Sequence, residues 1–173
     1  MQLTFPVVPA VPICHDQGMR LQHYIDALEE FCARQGVVVF RTPLSPWVVG
    51  RTRGRQVILR SGLSKEKQLL TLVHELTHFL AHGPAEQIDR TVAEYEAETV
   101  EKIIAGQLGL KDLGTEIDLT TVTDDLLACS VTRVRWVAGT LLTALQCAKP
   151  ATAIETSAAH MTPAGAYPDR LQA

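Results

Sequence analysis

Apolar positions recur along this chain with two different periods. Between residues 19 and 35, Leu21, Ile25, Leu28, Phe31 and Cys32 fall at helical spacing, and Gly36 follows as a helix stop. The run Val37, Val38, Val39 and Phe40 is too short for a helix and reads as a buried strand. Residues 47–52 and 55–60 read as two strands meeting at Arg53-Gly54, a hairpin. Helical spacing returns after Ser64, a good N-cap, with Leu69, Leu72, Val73, Leu76, Phe79 and Leu80 on one side of a helix that runs through His82. Gly83-Pro84 ends it, glycine at a left-handed cap position and proline unable to continue.

Two more helices follow. One covers residues 88–108 and stops at Gly109. The other covers residues 124–148, with Leu126, Leu127, Val131, Val134, Val137, Leu141, Leu142 and Leu145 on its apolar face. Residues 1–17 form a proline-punctuated arm, and residues 149–173 an irregular tail rich in Ala and Thr. The order is helix, three short strands, then helices. That is an α+β layout, with one domain over residues 1–148.

Composition narrows the classes. The chain has 173 residues, enough for one self-sufficient core, with 46% hydrophobic and 20% charged residues. A net charge of −3 gives no global drive toward nucleic acid or anionic membrane. No apolar run approaches a membrane span, and the N-terminus lacks the basic region of a signal peptide. These features predict a cytoplasmic protein. Cys14, Cys32, Cys129 and Cys147 show no CxxC spacing, so they are expected to be small buried residues rather than a disulfide framework.

The candidate chemistry lies in "LVHELTHFLAHG", residues 72–83. On a helix, positions four apart lie about 40° apart and one turn up. His74 and His78 can therefore aim both imidazoles at one ion, and zinc accepts neutral imidazole nitrogens. Glu75 sits on the adjacent edge, where it can take a proton from water without ligating the metal. His82 is not the third ligand. It lies eight residues from His74, about 12 Å along the axis, and reads as a helix-end histidine facing the dipole. The next helix carries "VAEYEAETVEKI", in which Glu94, Glu98 and Glu101 share one face while Glu96 points elsewhere. A carboxylate from that face can complete a His₂Glu shell, and a neighbour can hold a ligand imidazole.

"LVHELTHFLAH" followed by "EYEAETV" resembles the ImmA/IrrE metallopeptidases, zincins that take their third ligand from glutamate. The wording after the motif is also similar to the metal domain of ArdC-type antirestriction proteins. The resemblance implies a zincin-like fold, with a small antiparallel sheet, an HExxH active-site helix, a second Glu-bearing helix and a C-terminal helix. It implies Zn²⁺ held by His74, His78 and Glu94, with Glu98 supporting a ligand from behind and Glu75 as the catalytic base. Tyr95, Tyr167 and His160 are candidates for a second oxyanion donor, and Tyr95 is the one singled out. The implied activity is hydrolysis of a specific protein partner, typically a helix-turn-helix repressor of a mobile element or stress regulon. The departures are Glu98-Thr99-Val100-Glu101 where the family has Asn-x-Phe-Ala, and no Leu-Met-Pro at the end of that helix.

A rival reading is an antirestriction-type, nucleic-acid-associated protein with a structural or weakly catalytic metal site. It rests on Arg51, Arg53 and Arg55, which alternate near the hairpin tip, and on Arg60, Arg133 and Arg135.

Overall fold

The computed structural model describes residues 17–82, 88–110 and 124–147. Four helices and one three-stranded sheet make an α+β fold: α1 (Gln17–Arg34), β1 (Val38–Thr42), β2 (Gly50–Arg53), β3 (Gln56–Arg60), α2 (Lys65–Ala81), α3 (Arg90–Leu108) and α4 (Asp124–Cys147). Each predicted element is present. The caps are those the sequence marks: Ser64 accepts from the Lys67 N–H at the start of α2, and Gly109 closes α3 in the left-handed conformation at φ 67°. The α3 N-cap is Asp89, whose carboxylate accepts from the Thr91 N–H at 2.7 Å. Gly83-Pro84, the N-terminal arm and the C-terminal tail lie outside the described residues.

The sheet corrects two expectations. It is mixed rather than antiparallel, in the order β1-β3-β2. β2 and β3 form the expected antiparallel hairpin, but β1 pairs parallel to β3, with Val39 opposite Val57 and Arg41 opposite Leu59. The chain leaves β1, crosses the end of β3 through residues 43–49, and enters β2 on the far side. Seven residues easily span the roughly 10 Å that two strand spacings require. Burial explains the order. β3 carries the two strand side chains with no exposure, Val57 and Leu59, and so takes the centre. β1 is consequently an edge strand, not a buried one: Val37 and Val39 turn inward, while Val38 and Phe40 are 52% and 44% exposed.

α2 is the central element, packed against α1, α3, α4, β2 and β3. Its Leu69, Leu72, Val73 and Leu76 are fully buried, and Phe79 and Leu80 lie at the core boundary. They meet Ile25, Leu28 and Cys32 of α1, Val100 and Ile104 of α3, and Val137, Leu141 and Leu142 of α4. Val131, expected on the apolar face of α4, is instead 46% exposed. The cysteine expectation holds for Cys32, whose thiol burial pushes up to about 12, but not for Cys129 and Cys147, which are exposed. No helix among the described residues is long and apolar enough to cross a membrane.

Candidate metal centre

The middle of α2 faces α3 across a cleft of about 1280 Å³, whose third wall is the β2 edge and the segment before it. Trp47, 92% exposed, stands at the rim. On the α2 side, the Nε2 atoms of His74 and His78 lie 3.2 Å apart. The Oε2 of Glu94 approaches from α3, 3.4 Å from the His74 Nε2 and 3.7 Å from the His78 Nε2. Ligand atoms about 2.0–2.1 Å from a tetrahedral ion lie about 3.3–3.4 Å from one another. The three atoms are thus spaced closely enough to hold such an ion, and all three residues line the cleft. His74, His78 and Glu94 form the one group of three such ligands close enough to share an ion among the described residues.

The electrostatics of this triangle are strained in the way a cation would relieve. Burial alone would push the His74 pKa down, but the carboxylates of Glu101 and Glu94 outweigh it and lift the imidazole to about 10. The bonds to His74 and His78 hold the Glu94 carboxyl far below its ordinary range. A metal ion held by these residues would take the place of the proton that otherwise holds the groups together.

Glu101, not Glu98, stands behind His74: its Oε2 is 3.3 Å from the His74 Nδ1. Helical geometry accounts for this. Relative to Glu94, position 101 is rotated by about 20° one way and position 98 by about 40° the other. Glu101 thus stays in line with His74, while Glu98, which also lines the cleft, is rotated away from that histidine. The Glu98 Oε2 is buried without a hydrogen-bond partner, and burial pushes that carboxyl up. Tyr95 is partly buried on α3 and does not line the cleft. Tyr167 and His160 fall outside the described residues.

Glu75, 6% exposed, lies beside the triangle and faces β2. The Thr52 hydroxyl is 2.8 Å from its Oε2 and 2.9 Å from its backbone carbonyl. Burial pushes the Glu75 carboxyl up; the Thr52 bond and the two histidines pull it back. Gly50 makes this approach of strand to helix feasible. A Cβ there would sit 2.5 Å from the Thr71 Cγ2 and 2.8 Å from the Glu75 Oε1. Neither residue was readable as functional from sequence: the signal was only a glycine and a threonine alternating on one strand.

His82 caps α2, its N–H bonded to the His78 carbonyl, and it takes no part in the triangle. Its Nε2 lies 3.5 Å from the Oε2 of Glu96. Glu96 points away from the triangle, toward α4. It is completely buried, and it accepts from the Ser130 Oγ at 2.6 Å and from Arg133 through Nε and Nη2. Other arginines are also engaged: Arg55 donates to the Gln35 carbonyl and Arg60 to the Pro46 carbonyl.

Residues 32–112, just under half of the chain, match the Peptidase_M78 family, described as the IrrE N-terminal-like domain. Over these residues the chain is similar to the ImmA/IrrE metallopeptidases. The matched residues run from the end of α1 through α3 and so include all three strands, His74, Glu75, His78 and Glu94; α4 lies beyond them. The family is one of peptide-bond hydrolases, and the histidine-glutamate triangle is the arrangement such chemistry needs. No curated protein and no solved structure matches the chain.

Proposed function

We propose that the chain is a zinc-dependent endopeptidase that cleaves a specific protein partner. The observation that carries this is the triangle of His74 Nε2, His78 Nε2 and Glu94 Oε2, with the buried Glu75 carboxylate beside it. Two imidazoles and a carboxylate suit zinc, and a set of three protein ligands lining a cleft suits catalysis rather than structure. Zinc bound there would supply Lewis acidity, lowering the pKa of water and polarising the scissile carbonyl. Glu75 accepts the proton of the attacking water and delivers it to the departing amine. Thr52 holds Glu75 Oε2, leaving Oε1 for that proton. Glu101 accepts from the His74 Nδ1–H, which leaves Nε2 as the metal-facing nitrogen.

The cleft is open enough to admit an extended chain, and β2, an edge of the sheet, borders it. A substrate strand laid along that edge would gain backbone hydrogen bonds, with side-chain pockets supplying selectivity. The partner class we propose is the one the family resemblance implies, a helix-turn-helix repressor. The test is digestion of a peptide library and of candidate repressors, read by mass spectrometry. Wild type is expected to cut, and Glu75→Gln to bind zinc without cutting. Cleavage by Glu75→Gln would refute the mechanism.

A further inference from the structure

We propose that Arg133 of α4 is a positioning residue for the metal ligand Glu94, acting through the buried carboxylate of Glu96. The proposal rests on the metal-site reading above. It concerns a helix that lies outside the segment matched to the peptidase family.

Glu94 and Glu96 are two residues apart on α3, so they project about 200° apart around its axis. Glu94 meets the histidines of α2, and Glu96 meets α4. At Glu96 the bonding is unusually complete. The carboxylate has no exposure. It accepts from Arg133 at 2.9 and 3.0 Å through Nε and at 2.6 Å through Nη2, and from the Ser130 Oγ at 2.6 Å. His82, one turn past the ligand His78, lies 3.5 Å away on α2. One carboxylate therefore ties together the two helices that carry the metal ligands and a third that carries none.

A fork-to-carboxylate pair of this kind has one good geometry, so it fixes the rotation of α3 and not merely its distance from α4. The rotation matters because of leverage. Side-chain tips lie about 5–6 Å from a helix axis, so a 10° turn moves the Glu94 carboxylate by about 1 Å. Metal sites tolerate only about 0.2 Å in ligand distance. Ala97 and Val100 on the same helix are also buried, but their apolar contacts lack the directional preference of a charge-assisted fork. Buried ion pairs often contribute little net stability, and their best-attested use is to set register.

The test is zinc affinity of the chelator-stripped full chain, measured by competition with a chromophoric chelator. Arg133→Met is expected to bind zinc about tenfold more weakly than wild type, in the range seen for residues that orient metal ligands. Arg133→Lys is expected to recover part of that loss, since it keeps the charge without the fork. A paired variant, Glu96→Leu with Arg133→Met, separates positioning from folding, because apolar replacement of a buried pair is often neutral for stability. It is expected to melt near the wild-type temperature and still bind zinc about tenfold more weakly. Wild-type affinity in the paired variant, or in Arg133→Met, overturns the proposal. A wild type that takes up no zinc overturns the metal-site reading along with it.

Discussion

At Thr52 a single hydroxyl proton serves two acceptors on one residue, the side chain and the backbone carbonyl of Glu75. A buried carboxylate beside another carboxylate is difficult to keep ionised, and Thr52 is one of the groups that offsets burial. Thr52→Val removes the donor and keeps the shape. A hydrogen bond to a charged group is worth about 1.5–3 kcal/mol, so turnover should fall by about ten- to a hundredfold while zinc content stays unchanged. The sign of the pH effect follows from the Thr52 bond, which lowers the Glu75 pKa; without it the acid limb of the pH–rate profile moves to higher pH. Thr52→Ser should behave as wild type. An acid limb that stays in place in Thr52→Val would show that Glu75 is not held this way. His74, Glu75 and His78 were legible in the sequence because four-residue spacing on a helix is a geometric statement. Thr52 was not, because nothing local ties residue 52 to residue 75.

Among the elements, the spacing between β2 and α2 decides whether that contact exists. Gly50 sets it: Thr71 and Glu75 occupy the space where a side chain would begin. Gly50→Ala should destabilise the protein by about 1–3 kcal/mol in denaturant unfolding, as overpacking does. Adding Thr71→Ser, which removes the nearest methyl, should recover part of that loss. Equal stability of wild type and Gly50→Ala would mean the strand has room to move away. The helices were legible almost to the residue, since Ser64 and Gly109 mark ends by their own chemistry. The strand order was not, because pairing depends on which strand buries most, and β1 and β3 are both apolar when read alone. The partner of Glu96 was not legible for a related reason. A charge at a position off the ligand face looks solvated until α4, more than thirty residues on, brings Arg133 to it.

Across the whole molecule, the candidate ligand set joins α2 to α3, so metal binding there would link protons and stability. Without metal, His74 is raised from its ordinary 6.5 to about 10, and Glu94 is lowered from 4.5. A raised histidine contributes stability that is fully present below pH 6.5 and lost as pH rises toward 10; a lowered carboxylate contributes stability present above 4.5 and lost as pH falls below it. The metal-free protein should therefore melt at progressively lower temperature between about pH 6.5 and 10, and zinc at constant excess should flatten that decline. A melting temperature in chelator that is level across this range would remove the interhelical pairing as a source of stability. The rim of the same cleft has an optical consequence. Trp47 and Trp136 are the chain's two tryptophans, and only Trp47 borders the cleft, 92% exposed, while Trp136 lies on α4 in a separate groove. A polypeptide seated in the cleft would shield one indole and leave the other as an internal standard. Its arrival should appear as a blue shift in emission and a loss of acrylamide quenching confined to Trp47, so the protein carries its own fluorescent gauge of occupancy, readable with Glu75→Gln before any bond is cut.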